Sequence, residues 1–185
     1  MKKVIPALVA MLVCVSPANA QTNDFELPQR WNEDLTPGSH CATPGRTDTY
    51  VDATRRWFKQ TDAASVGNDT EGPVPVEQTV KQKRVQTLEV SGTFTPKGDL
   101  VKNVSRAYGW NYVHQATWSL NQVVGPYTLD AGKHGRLVWG FTMLDGDAQD
   151  VKCSADQVWE PVGKPYEFSV PEARYSELKV DESSL

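Results

Sequence analysis

The sequence predicts an all-β protein, a mainly antiparallel β-sandwich or small barrel with an irregular N-terminal arm and room for one short helix. Apolar and polar residues alternate in several short stretches, which is the period of a strand with one buried face. Turn-forming Gly, Pro and Asp residues separate these stretches. With 39% hydrophobic and 23% charged residues, the 185-residue chain can fill one packed core and carries too little charge for disorder.

The beginning of the chain has the pattern of a secretory signal peptide over residues 1–20. Lys2 and Lys3 precede an apolar run from Val4 to Val15, and small residues follow at positions 18 and 20. Signal peptidase recognises this order, and we expect cleavage after Ala20. The mature protein would then begin at Gln21 and lie in the periplasm or outside the cell.

Two cysteines, Cys41 and Cys153, remain after this expected cleavage. An even number of cysteines in an oxidising compartment favours a disulfide between them. Such a bond would tie the N-terminal arm to the strands near the C-terminus. Two free thiols or a metal-binding pair are the alternatives, but a Cys-x-x-Cys motif typical of zinc sites is missing. We therefore predict no metal and no cofactor.

Residues 21–45 are rich in Pro, Asn, Asp, Thr and Gly and predict an irregular arm. Its large apolar residues are expected to dock onto the domain, and these are Phe25, Leu27, Trp31 and Leu35. The arm leads into a stretch from Thr47 to Gln60 in which Tyr50, Ala53 and Trp57 lie near helical spacing. This stretch therefore predicts the short helix.

The stretch from Tyr108 to Leu120 gives the clearest strand signal. Mostly small or polar residues occupy its odd positions, and the even positions hold Tyr108, Trp110, Tyr112, His114, Ala116, Trp118 and Leu120. A helix would spread these side chains around its circumference, so the stretch predicts a long strand with one buried face. A weaker alternation from Val76 to Phe94 predicts another strand, with a bulge between Lys83 and Val85.

Shorter alternating runs complete the predicted sheet. They cover residues 127–129, 137–143, 151–153 and 166–170, and turns are expected at 130–135 and 145–147. These boundaries predict a single β-rich domain over residues 46–171. The charged segment 172–185 is expected to be a frayed tail.

Several functional classes are disfavoured by composition and motifs. The net charge of −4 disfavours nucleic-acid binding, and no apolar run of transmembrane length follows the leader. Nucleophile-elbow, zinc-protease, phosphate-loop and dinucleotide motifs are all missing from the sequence. Catalysis would therefore need a site that only the fold assembles.

The six tryptophans and two of the histidines are the candidates for contacts with a ligand. Trp110, Trp118 and Trp139 fall on apolar strand faces, where core packing is the expected role. His114 is also expected in the core, with a general base or ligand-binding residue as the alternative. The less regular segments hold Trp31, Trp57 and Trp159, and His134 lies in a glycine-flanked turn that can present a functional residue. These last four form the predicted ligand-binding set.

One longer pattern adds a family resemblance. The segment Gly125 to Lys133 reads GPYTLDAGK and leads into LVWG at Leu137 to Gly140; an aromatic strand precedes it and Cys153 follows. This order resembles small secreted bacterial β-proteins related to aerolysin-type toxins, over roughly Val76 to Trp159. The resemblance implies a β-sandwich that binds a surface receptor and inserts amphipathic hairpins into a membrane.

These observations favour a secreted or periplasmic, non-catalytic binding protein. Its expected partner is a surface glycan, a lipid or a protein. One alternative is a membrane-active, aerolysin-like toxin or toxin component. The other alternative is a small secreted hydrolase with a site made of a histidine and a carboxylate.

Overall fold

The computed structural model describes residues 24–92 and 95–181. The predicted signal peptide lies outside the described residues. The elements are β1 Asp24–Phe25, β2 Thr47–Gly67, β3 Val74–Thr79, β4 Arg84–Thr87, β5 Glu89–Val90, α1 Leu100–Tyr108, β6 Gln115–Trp118, β7 Val123–Leu129, β8 His134–Cys153, β9 Trp159–Pro161 and β10 Tyr166–Val180. Strands hold 55% of the described residues and helix 6%, and the sheets are antiparallel, so the all-β prediction is confirmed.

A sheet of three unusually long strands organises the fold. In the order β1-β2-β8-β10-β5, strands β2, β8 and β10 have 21, 20 and 15 residues, and β9 pairs with the far end of β8. Strand β8 is central and pairs with β2 on one side and β10 on the other along most of its length. The sheet therefore provides a rigid base for whatever packs on its two faces.

Both faces of β8 are covered, because the chain between β2 and β8 folds back over the sheet. Trp139, Phe141 and Met143 point to one face, where they pack against residues of β6, β7 and the loop after β3. Leu144 and Ala148 point to the opposite face and pack against α1. The two small sheets, β3 with β7 and β4 with β6, thus lie on one side and α1 lies on the other.

The short helix predicted over Thr47–Gln60 is wrong, since these residues belong to β2. Two register shifts in the pairing with β8 explain the error, one between Ala53 and Arg55 and one between Gln60 and Asp62. Each bulge inserts one residue and exchanges the buried and exposed positions. The alternation is therefore broken, and the apolar residues fall close to helical spacing.

The long strand predicted over Tyr108–Leu120 is largely wrong. A helix, α1, occupies Leu100–Tyr108, and of the predicted stretch only Gln115–Trp118 forms a strand. Asp99 caps this helix by accepting a hydrogen bond from the Lys102 backbone N–H at 3.2 Å. Gly109 ends it in the left-handed conformation with φ +63°.

Two further boundaries differ from the prediction. The turn expected at 145–147 lies inside β8, where Gly146 permits close packing: a Cβ there would come within 2.3 Å of the Asp52 carbonyl oxygen. The tail expected from Glu172 continues β10 as far as Val180. Its charged residues include the buried Glu172 and the half-buried Glu177 and Lys179, so charge here does not mark a frayed segment.

The predicted disulfide is confirmed. Cys41 and Cys153 are bonded, with 5.8 Å between their Cα atoms and 112 residues between them in sequence. Both lie in a small core cluster with Leu35 and Trp159, so the bond fastens the arm to the end of β8. In the described part of the chain, no helix has the length and apolarity to cross a membrane.

Candidate functional site

The N-terminal arm is held against the domain by Arg30. Its guanidinium group lies between two aromatic rings, 4.8 Å from the centre of Tyr50 and 5.3 Å from that of Tyr108. It also donates hydrogen bonds to the carbonyl oxygens of Val51 and Asn32. Cation–π contacts and hydrogen bonds to backbone together fix the arm on β2 and α1. The arm is therefore irregular but anchored.

The next residue, Trp31, is anchored by its backbone and presented by its side chain. Its N–H donates to the Ala107 carbonyl oxygen at 2.7 Å, near the end of α1. One side of its indole lies against Gly109, where a Cβ would be only 3.0 Å from the ring. The side chain is nevertheless 76% exposed. Trp31 thus has one supported face and one face open to solvent.

A second exposed tryptophan, Trp110, lines the same cavity as Trp31. The left-handed turn at Gly109 ends α1 and places Trp110, which is 53% exposed, next to the arm. The two indoles border a cleft of about 360 Å³ between the arm and the end of α1. Its lining consists of Glu26, Leu27, Pro28, Gln29, Trp31, Arg56, Tyr108, Gly109, Trp110, Tyr112 and Glu172.

An ion pair between Arg56 and Glu172 forms part of the cleft wall. Arg56 Nε donates to Glu172 Oε2 at 2.8 Å, and Nη2 donates to Oε1 at 2.6 Å. The Glu172 side chain is only 3% exposed. A register shift between Pro171 and Ala173 leaves Glu172 as the extra residue of a bulge in β10, and such a bulge can redirect a side chain.

The ion pair also sets the charges of the cleft. Its hydrogen bonds raise the pKa of Arg56, so the guanidinium stays charged and Glu172 balances it. Burial, reinforced by the Glu172 charge, raises the pKa of Tyr112 and keeps its hydroxyl neutral. Arg56 Nη1 takes no part in the pair and has no hydrogen-bond partner among the described residues. The wall therefore offers N–H groups without a net positive charge.

The structure does not bring the four predicted ligand-binding residues together. Trp31 borders the cleft, whereas Trp57 is half-buried and lines a different groove. Trp159 is 5% exposed and packs beside the disulfide, so its ring is closed to a ligand. His134 lies at the start of β8, where its side chain is exposed and 3.3 Å from Asp69.

Trp110 is a cleft residue that the sequence pattern does not reveal, because its even position predicts the buried face of a strand. A signal was available in the preceding residues. Asp99 can cap a helix, and apolar residues follow at positions 100, 101, 104, 107 and 108, which is the spacing of a helix face. Gly109 then marks the end of that helix. These features predict a helix that ends before Trp110 and leave Trp110 in a loop.

The two histidines considered for catalysis each lie near a carboxylate. His114 is 3.4 Å from Asp99, and its exposed side chain corrects the expectation that it lies in the core. His134 has the neighbour described above. Neither histidine lines the Trp31–Trp110 cleft or the groove that contains Trp57. A general base needs a substrate pocket beside it, and these two pairs face open solvent.

The groove that contains Trp57 is larger, about 670 Å³, and acidic. Its carboxylates come from Glu89, Asp145, Asp147 and Glu167. Within the residues that the structure describes, no group of three or more His, Cys, Asp or Glu side chains is placed to hold a metal ion. The Trp31–Trp110 cleft differs from this groove in having two largely exposed indoles at its border.

Comparisons with protein-family models, curated proteins and solved structures found no match to this chain. The resemblance to aerolysin-type toxins stays a hypothesis drawn from the sequence.

Proposed function

We propose that this protein is a secreted or periplasmic, non-catalytic binding protein that takes its ligand in the Trp31–Trp110 cleft. The observation that carries the proposal is the pair of neighbouring, exposed indoles, each with support behind it. Trp31 rests on Gly109, and the Arg56 guanidinium lies 5.6 Å from the ring centre of Trp110. Exposed aromatic side chains gathered around a concave surface are typical of binding sites.

Preorganisation adds support for binding. Arg30 and the Trp31 backbone fix the arm before any ligand arrives. A site that is already ordered loses less conformational entropy on binding, and more of the contact energy then appears as affinity.

The secreted or periplasmic location is supported by the leader-like first residues and by the disulfide, which persists in oxidising compartments. Intact-mass analysis of exported protein should find an N-terminus at Gln21.

The binding proposal can be tested with one panel of probes and three variants. The probes are neutral oligosaccharides, acidic oligosaccharides, phosphatidylglycerol vesicles and unstructured peptides. The variants are Trp31→Ala, Trp110→Ala and the control Leu120→Ala, which removes an exposed apolar side chain outside the cleft. Near-ultraviolet circular dichroism and a thermal melt check that each variant is folded.

The wild type and Leu120→Ala should bind at least one class of probe. Trp31→Ala and Trp110→Ala should each weaken that binding about tenfold or more, as truncation of a central aromatic residue does in other interfaces. Two results would overturn the proposal. One is that no class of probe binds at millimolar concentration, and the other is that both tryptophan variants bind like the wild type.

A further inference from the structure

We infer that the ligand of the Trp31–Trp110 cleft is an uncharged glycan chain, an inference that rests on the function proposed above. The first argument comes from the rings. Trp31 is supported on the Gly109 side and offers its other face to solvent. The C–H groups of a sugar ring carry a slight positive charge and pack on the negative face of an indole. An exposed flat ring with a fixed orientation suits this contact.

The second argument comes from charge. The positive charge of Arg56 in the cleft wall is already balanced by Glu172, which holds two of its three nitrogens. The remaining charged residue of the lining is Glu26, so the cleft carries a net negative charge. A phosphate, sulfate or uronic acid would meet Glu26 without a free cation to compensate for its desolvation. The cleft therefore disfavours anionic lipids and acidic glycans.

The third argument comes from the mixture of hydrogen-bonding groups. Arg56 Nη1 donates only, the Glu26 carboxylate accepts only, and the Gln29 amide does both. A sugar hydroxyl both donates and accepts, so it can pair with any of these three groups. Phosphate and sulfate oxygens accept only and could form no hydrogen bond with the Glu26 carboxylate.

The size and shape of the cleft are consistent with this ligand. Its volume of about 360 Å³ is near the lower end of the usual range for ligand pockets. An acyl chain would need a deep apolar channel, whereas the wall of this cleft holds an ion pair. One end or one short section of a glycan could lie between the two indoles with the rest of the chain in solvent.

The test compares matched oligosaccharides by isothermal titration calorimetry. Neutral gluco-, manno-, galacto- and N-acetylglucosamine oligomers are set against uronic-acid and sulfated oligomers, with phosphatidylglycerol vesicles and peptides as further arms. At least one neutral series should bind the wild type, and Trp31→Ala should weaken it about tenfold or more. The affinity of the wild type for this neutral series should change less than about twofold between low and high salt, because the ligand carries no charge that could pair with a charge of the protein.

Two variants sharpen this test. Gln29→Ala should weaken binding of the neutral oligomer about threefold to tenfold, the usual effect of one lost hydrogen bond. Glu26→Gln should leave the neutral oligomer's affinity within about threefold, since the amide oxygen still accepts a hydrogen bond. For an anionic ligand, the same change would strengthen binding by removing a repulsive charge.

The outcomes separate this inference from the proposed function. Binding of an acidic oligomer, vesicle or peptide that depends on Trp31, without binding of any neutral oligomer, would overturn the glycan inference and leave the proposed function standing. If no probe binds, or if binding depends on neither Trp31 nor Trp110, both are overturned. Binding of a neutral oligomer with the stated effects of the variants would support both.

Discussion

Glu172 shows at the scale of one residue how the cleft wall depends on long-range pairing. Its partner Arg56 lies 116 positions earlier in the chain, and the two meet because β2 and β10 flank the same central strand. Nothing in the local sequence marks either residue. The sequence therefore predicted neither the ion pair nor the balanced charge of the cleft, although it did select Trp31.

Removal of the Glu172 charge should destabilise the protein. Glu172→Gln leaves the partly buried Arg56 without its counter-charge and should lower the free energy of unfolding by about 1–3 kcal/mol. The measurement is urea unfolding at pH 7. Asp24→Asn is the matched control. Asp24 Oδ1 lies 2.8 Å from Arg55 Nε in an exposed ion pair, which should contribute less than about 1 kcal/mol to the free energy of unfolding. Equal stability of the two variants would contradict this account.

Asp48 should make the free energy of unfolding depend on pH in the acid range. Burial raises the pKa of its carboxyl group, but hydrogen bonds from Asn103, Arg46 and the Thr49 backbone outweigh burial, and the net pKa is lowered. A carboxyl with a lowered pKa stabilises the fold above its unfolded pKa of about 3.9. That stabilisation is lost as the pH falls through the lower, folded pKa.

Urea unfolding measured from pH 7 down to pH 2 tests this dependence. Asp48→Asn should lower the free energy of unfolding by about 1–2 kcal/mol at pH 7. It should also reduce the loss of stability as the pH is lowered. Asp156→Asn, in an exposed turn, should stay within about 0.5 kcal/mol of the wild type at pH 7. If the free energies of unfolding of the wild type and Asp48→Asn fall equally steeply as the pH is lowered, Asp48 has no such role.

At the scale of elements, the end of α1 controls the position of Trp31. Gly109→Ala places a Cβ at positive φ and pushes it towards the indole, 3.0 Å away. Backbone strain should cost about 1 kcal/mol, and displacement of the ring should weaken ligand binding about threefold to tenfold. The measurements are urea unfolding and a titration with the ligand that the probe panel identifies.

Gly132→Ala is the control for this prediction. Gly132 also has a positive φ, +67°, but a Cβ there would meet nothing within 4 Å. The control should lose similar stability and keep full affinity. If both glycine variants bind equally well, the packing of Trp31 on Gly109 does not matter for the site.

The sequence predicted the class of the fold better than its elements. The alternation of apolar and polar residues identified β8 between positions 137 and 143 and the start of β10, because apolar residues recur there at every second position. The same signal failed in β2, where two bulges shift the buried face by one residue each. It also failed at α1, where apolar residues at helical spacing lead directly into aromatic residues of the following loop. Bulges depend on partner strands and cannot be seen in one segment.

At the scale of the whole molecule, the disulfide couples the arm to the sheet. Replacement of Cys41 and Cys153 by serine should lower the free energy of unfolding by about 4–5 kcal/mol, because a loop of over a hundred residues is no longer closed. Ligand affinity should also fall, since Trp31 lies on the arm that this bond fastens. Urea unfolding and ligand titration measure the two effects, and two reactive thiols in the denatured wild type would contradict the bond.

The position of the cleft belongs to this largest scale as well. Its two tryptophans, Trp31 and Trp110, are far apart in the sequence and line one cleft only because α1 packs beside the arm. The sequence could therefore suggest one exposed tryptophan on the arm, but it could not predict which other residues would join it.

The indole N–H signals of the six tryptophans provide the most direct test of the cleft as the binding site. A nitrogen–proton correlation spectrum of the labelled protein, with signals assigned by single substitutions, is recorded during titration with a neutral oligosaccharide that binds. The signals of Trp31 and Trp110 should shift together, while those of buried Trp118, Trp139 and Trp159 stay in place. Shifts confined to Trp57, or to none of the six, would place binding elsewhere and contradict the account.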